Sequence, residues 1–222
     1  MKTARRDDRG AAARDAIIDA AEALFGEYGI DRVSLRQIST AAGGANNFAV
    51  QYHFGDRETL IRAVFEKRLP EIERMREAMF AKAEAEQRLG DPRMVAEILF
   101  RPSVEIRNGA GKRSYAAFLL SLSFSQDGLN GRFGTVSNLA PLAARAAALM
   151  AKAAPQVSPD LIAQRLALAP ALFIGSLFHL LRNAPHVPDD LLIGDTLDMV
   201  TAAITAAPAP ALAEAIAAAG AQ

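Results

Sequence analysis

The chain has 222 residues, 51% of them hydrophobic and 23% charged, with 25 basic residues balanced by 25 acidic ones and neither cysteine nor tryptophan. Without cysteine, a disulfide framework, a Cys-ligated zinc or iron–sulfur site and a thiol nucleophile are excluded; stability rests on an apolar core, which a chain of this length can make large. A net charge of zero, taken alone, argues against a nucleic-acid partner, which calls for a basic surface. The segment Met1 to Gly10 is charged and precedes no apolar h-region, so it does not read as a signal peptide. The longest apolar run, Leu166 to Leu181, contains Pro170, Gly175, Ser176 and His179. As a helix it spans about 24 Å against roughly 30 Å of hydrocarbon. It is therefore expected to be a buried helix of a cytoplasmic protein with no membrane partner.

Helical periodicity dominates and no alternating strand pattern or internal repeat stands out, which predicts an all-α fold. The first helix is expected from Ala11 to Tyr28, with Ile17, Ala20, Ala21, Leu24, Phe25 and Tyr28 on one face and Gly29 as its stop. Ser34 with Gln37 three residues on has capping-box spacing and announces a short second helix with Leu35, Ile38, Ala41 and Ala42 inward. Gly43-Gly44 turns the chain, and a third helix is predicted over Asn46–His53, with Phe48 or Ala49, Val50 and Phe54 available to face inward. Asp56 is placed to cap a long fourth helix carrying Leu60, Ile61, Val64, Phe65, Leu69, Ile72, Met75 and Met79, with a kink expected at Pro70. Beyond Gly90-Asp91-Pro92, apolar helices are expected near Met94–Arg107, Lys112–Ser125, Asn138–Ala153, Pro159–Asn183 and Pro188–Ala206, before an Ala/Pro-rich tail. The expected organisation is a flexible basic arm (1–10), a helix-turn-helix head (11–55), a larger helical body (56–206) and the tail (207–222).

Helix, glycine turn, helix, preceded by a supporting helix, is the arrangement in which the second helix of the pair enters the DNA major groove. Its outward residues are Asn46, Asn47, Gln51 and Tyr52, with His53 beside them. Asn and Gln suit base reading because each offers a donor and an acceptor together to adenine N6 and N7. Outside such a motif the same residues are merely solvated. Phe48 either packs under the helix or meets a thymine methyl. Arg32 and Arg36 lie in a stretch, Arg32 to Phe54, without an acidic residue. The arm reads either as a backbone- or minor-groove-seeking segment or as a solvated tail.

These residues resemble the TetR-type transcriptional regulators over roughly Arg14 to Ile61. The blocks that carry the resemblance are Ile17-Ile18-Asp19-Ala20-Ala21 with Leu24-Phe25 and Tyr28-Gly29, Val33-Ser34-Leu35-Arg36-Gln37-Ile38, Ala42-Gly43-Gly44, and Val50-Gln51-Tyr52-His53-Phe54-Gly55-Asp56-Arg57-Glu58-Thr59-Leu60. The resemblance implies a three-helix DNA-binding head, a ligand-binding and dimerisation body, and repression of a palindromic operator relieved by a small molecule. It implies phosphate contacts for Ser34, His53 and Arg57; Arg57 otherwise pairs with Glu58 or Asp56. Gln51 departs from the family, which often has an aromatic residue there, so operator preference does not carry over.

In the body, the predicted helices Pro159–Asn183 and Pro188–Ala206 are apolar on more than one face and are the expected homodimer seam, through Leu166, Phe173, Leu177, Leu180, Leu181, Leu197 and Val200. The alternative is a wholly intramolecular core. A small hydrophobic or aromatic effector is expected among Met94, Phe100, Tyr115, Phe118, Leu119, Leu122, Phe124, Phe133 and Met150, although most of these must be ordinary core. His179 reads as a core or interface histidine. No cofactor, metal site or catalytic group is expected: H-E-x-x-H is lacking, and His179 and His186 are separated by Pro185. The segment Gly109-Ala110-Gly111-Lys112-Arg113-Ser114 resembles a phosphate loop, but a complete one needs glycine at Ile106 and Ser or Thr at Arg113. The rival readings are a helical ligand-binding or interaction module without DNA binding, and an all-α enzyme. Charge is uneven: Pro155 to Gln222 carries only Arg165 and Arg182 against Asp160, Asp189, Asp190, Asp195, Asp198 and Glu214. Zero is a sum over unlike ends and does not exclude DNA.

Overall fold

In the computed structural model, helix α1 runs from Ala4 to Tyr28. It starts well before Ala11, because Ala4 to Gly10 supplies alanine and arginine, strong helix formers, rather than apolar anchors. The expected flexible arm is thus helical from Ala4 onward. The structure describes residues 4–43, 48–125, 140–212 and 215. Gly29, at φ +92°, ends α1 in a backbone region that glycine enters without steric cost. A single 3₁₀ turn, Ile30–Arg32, leads to α2 (Leu35–Ala41) and α3 (Ala49–Phe54). Next come α4 (Arg57–Ala85), unbroken through Pro70, α5 (Pro92–Glu105) and α6 (Ser114–Ser123). The helices α7 (Pro141–Ala153), α8 (Pro159–Asn183) and α9 (Asp189–Thr205) complete the order. Among the described residues there is no strand.

Contacts divide the chain into two units, Met1–Ala78 with Arg101–Leu142, and Met79–Phe100 with Ala143–Gln222. In the first unit, residues 11–55 do not close a core of their own. Ile17, Ile18, Ala21 and Phe25 of α1, Ile38 of α2 and Val50 and Phe54 of α3 share one core with Leu60, Ile61, Val64 and Phe65 of α4 and Tyr115, Phe118 and Leu122 of α6. Phe118 is central, its ring centroid 5.2 Å from Phe65 and 6.3 Å from Phe25. Two inward expectations fail: Tyr28 is exposed, and on α2 the buried neighbour of Ile38 is Ser39 while Ala41 faces solvent. Positions 35, 38, 39 and 42 follow the helical step more closely than 41 does.

One charged side chain sits inside this unit. Glu22, only 1% exposed, occupies the inner face of α1, where Arg68 of α4 meets it with Nε at 2.6 Å and Nη2 at 3.0 Å. The Ser114 hydroxyl of α6 donates to the same carboxylate. Isolated, a buried carboxylate would be very costly; a two-pronged guanidinium and a hydroxyl offset that cost. The backbone N–H of Ile30 also donates to Ser121 Oγ of α6, at 2.9 Å. Between α1 and α6 the approach is so close that a Cβ on Gly26 would lie 2.9 Å from Ala117 Cβ and 3.0 Å from Ser114 O.

In the second unit α8 packs on α9, burying Phe173, Ile174 and Leu177 of one and Leu192, Leu197, Val200 and Ile204 of the other. Phe100 adds a ring 5.8 Å from Phe173. Ser158 caps α8 by accepting from Leu161 N, with Pro159 in the first turn, where its missing N–H costs nothing. At the same end of the pair, Arg165 Nη1 donates to Ile204 O at 2.8 Å and Gln156 Nε2 to Thr205 O at 2.6 Å, answering carbonyls that the last turn of α9 leaves without intrahelical partners. Helix α8 has the predicted bounds, Pro159–Asn183, and its 25 residues, with an 18-residue window of mean hydropathy 1.7, are long and apolar enough to cross a membrane by length and composition.

Candidate nucleic-acid interface

The Ser34–Gln37 box forms as its spacing predicts. Gln37 N donates to Ser34 Oγ at 3.2 Å, and Ser34 N donates back to Gln37 Oε1 at 2.8 Å. The Ser34 hydroxyl also donates to Gln37 Oε1 at 2.8 Å, so its proton serves the cap. Arg36 projects from the exposed side of α2, as does neighbouring Arg32 from the 3₁₀ turn. The turn begins at Gly43, at φ +76°; Asn46 and Asn47 lie outside the described residues.

Helix α3 starts at Ala49 rather than near Asn46 and ends at Phe54. Six residues cannot hold a helix alone, so its position is set by Val50 and Phe54, which enter the core. With those anchors inward, Gln51 faces solvent and Tyr52 is 84% exposed. Phe48, at the start of α3, is 71% exposed, so of its two readings the packed one is excluded. His53 is half-buried, its ring 5.1 Å edge-on from Tyr52. Phe54 is overlaid from α1 by the Arg14 guanidinium, 5.1 Å above the ring. Gly55, at φ +73°, closes α3. Asp56 then accepts from Thr59 N at 2.7 Å, and that backbone hydrogen bond holds its carboxyl below the usual carboxylate range.

Arg57 does not behave as a free phosphate anchor. Its Nη1 donates to Ile30 O and its Nη2 to Val33 O at 2.7 Å, so the guanidinium braces the α1–α2 connection against the start of α4. Neither Glu58 nor Asp56 is its partner in these bonds. This brace, the Arg14 overlay and the Glu22–Arg68–Ser114 network are the positioning features that sequence reasoning missed. Only Glu22 left a visible signal, a carboxylate among Ile18, Ala21 and Phe25 on an apolar stripe.

The expected body residues separate. Phe173, Leu177, Leu197 and Val200 are fully buried within their own unit and cannot present themselves to a second chain, while Leu166, Leu180 and Leu181 are half-buried. The apolar side chains left exposed are Leu168 (65%) and Leu172 on α8, and Leu191 (64%) and Met199 on α9. Because α8 is apolar nearly all round, periodicity could not separate its inner from its outer face. Of the expected effector residues, Met94, Phe100 and Met150 are core of the second unit. Tyr115, Phe118 and Leu122, with Leu119 against them, are core of the first. Burial pushes the Tyr115 hydroxyl far above the usual tyrosine range, so it stays neutral. Phe124 is 68% exposed, and Phe133 lies outside the described residues. Two clefts have other walls. One of about 340 Å³ is lined by Asp19, Glu22, Lys67, Arg68 and residues 107–110. The other, of about 300 Å³, is lined by Gly175, Ser176, His179, Leu180 and Met199. His179 is exposed there rather than buried in a core.

Residues 17–64 match the family model described as bacterial regulatory proteins, tetR family. No curated protein matches the chain. A solved structure described as a candidate TetR-family transcriptional regulator from Mesorhizobium loti shares 18% identity, over 88% of this chain and 96% of that one, at a TM-score of 0.47.

Proposed function

We propose, from the match of residues 17–64 to the tetR-family model, that the protein is a TetR-type transcriptional regulator: a dimeric cytoplasmic repressor of a palindromic operator, released by a small molecule. The observation that carries this reading is α3, a short helix pinned by Val50 and Phe54 that turns Gln51, Tyr52 and Phe48 outward. Gln51 and Asn47 read bases, Phe48 meets a thymine methyl, and Asn46, Tyr52, His53 and Arg36 complete the surface toward the duplex. Ser34 reaches phosphate only by giving up its bond to Gln37, so its role there is secondary. Arg57 positions the head rather than the backbone of the DNA. Residues 11–55 are the reading head, and 56–206 the effector and dimer body.

The dimer is supported by Leu168, Leu172, Leu191 and Met199, exposed apolar side chains on neighbouring helices. Two heads about 34 Å apart address successive major grooves, which one head cannot do. The apolar surface of α8 is assigned to this seam rather than to a membrane. A hydrophobic or aromatic effector remains an expectation from composition; the packed positions of Tyr115, Phe118 and Leu122 lend it no support. No catalytic role is assigned. A gel shift on the gene's own upstream region, at stated salt, is the test. Saturable, sequence-dependent retardation is expected, and its absence would sink the reading.

A further inference from the structure

The 340 Å³ cleft belongs wholly to the first unit and is built from three separate segments. Helix α1 contributes Asp19 and Glu22, α4 contributes Lys67 and Arg68, and the α5–α6 connection contributes Arg107 to Ala110. The connection is the segment whose glycines resemble a phosphate loop, and its backbone is fixed by its own bonds. Asn108 Oδ1 accepts from Ala110 N and Lys112 N, both at 3.0 Å, and Gly111 N donates to Asn108 O at 2.8 Å. At Gly109 an added Cβ would meet nothing within 4 Å, so that wall is bare backbone beside open space.

The two carboxylates differ in how firmly they are held. Glu22 is buried and doubly bonded to Arg68, whereas Asp19, 57% exposed, meets Lys67 at 2.8 Å and Arg68 only at 3.6 Å. A surface pair of the second kind is weak and exchangeable. Three basic side chains line the cleft against these two acidic ones.

We propose that this cleft binds a small molecule through one oxyanion group, carboxylate or phosphate, which displaces Asp19 from Lys67 and the outer edge of Arg68 and is joined by Arg107. Displacing Asp19 removes a tie between α1 and α4, and α1 is a wall of the core that seats α3. This replaces the apolar effector expected from composition with one that carries an oxyanion, and it rests on the regulatory reading above for its output.

The test titrates the full chain with inorganic phosphate and, separately, with succinate, at an ionic strength held constant with chloride, by calorimetry. Saturable binding of one probe or both, one per chain, is expected, and which of the two binds distinguishes a phosphoryl from a carboxylate ligand. Lys67→Gln and Arg107→Gln should each weaken it about ten-fold, the loss of one charge-assisted contact. Asp19→Asn should tighten it, because the competing carboxylate is gone. The bound probe should lower operator affinity in the unaltered protein and not in Lys67→Gln, which separates the cleft from simple competition for DNA contacts. No binding beyond chloride, equal binding by all three variants, or operator affinity indifferent to a bound probe would each overturn the proposal. A protein that binds the probe but never an operator would overturn the regulatory reading and leave the cleft standing as a ligand site.

Discussion

The two units handle polarity in opposite ways, and the contrast explains where each gets its precision. Among the described residues, the buried charged side chains, Glu22 and Arg76, lie in the first unit, and Glu22 joins α1 to α4 and α6. In the second unit the buried polar groups are Thr196 and Thr201, whose hydroxyls return to Leu192 O and Leu197 O, each at 2.7 Å within their own helix. Its longer-range polar bonds lie outside the buried core: Arg165 to Ile204 O at a helix end, and Arg93 to Asp198 and to Gly194 O along α9. Directional bonds between helices fix orientation, and a reading helix needs orientation. An apolar pair of helices fixes shape and area, which is what association needs.

Replacing Glu22 with alanine should break this contrast most severely. It strands Arg68 beside the core and is expected to cost about 3–5 kcal/mol, read by urea denaturation. Arg57→Ala removes two guanidinium bonds to backbone carbonyls and should cost about 2–3 kcal/mol. Operator affinity should fall with it, while the salt slope stays unchanged, which a salt series distinguishes from loss of a phosphate contact. In the second unit, Leu172→Lys should leave folding within about 0.5 kcal/mol of the parent and raise the dimer dissociation constant about ten-fold or more. Sedimentation would then show the 23.6 kDa chain as a monomer at micromolar concentration. The smallest effect concerns pH. The folded Asp56 carboxyl titrates below its ordinary 3.8, so its cap contributes fully above that value and is lost as pH falls through the lower folded one. Asp56→Asn, which keeps an accepting oxygen, should flatten the acid limb of a stability–pH profile. An unaltered acid limb would remove Asp56 from the account.

What the sequence made legible was local. The Ser34–Gln37 box needs only a three-residue spacing, and α8 begins and ends where its cap, its Pro159 and its last apolar turn say it should. What stayed hidden was distant in the chain: Arg57 answers carbonyls 27 and 24 residues back, and Glu22 finds partners 46 and 92 residues ahead. No periodicity reports such pairings. The same limit governs the seam, where α8 offers apolar residues all round and only the seating of Phe173 and Leu177 leaves Leu168 and Leu172 outside. The resemblance assigned Arg57 by its position alone, whereas its bonds to Ile30 O and Val33 O depend on where the α1–α2 connection runs, which position does not report.

The glycine at position 26 has a mechanical consequence. With Ala117 Cβ and the Ser114 carbonyl nearer than a methyl group at position 26 would tolerate, the backbone of α1 meets α6 with no long, compliant side chain between them to absorb a displacement. Close-packed interiors are stiff and transmit strain. A displacement of α6 is therefore expected to pass to α1 at this contact rather than to be taken up within it.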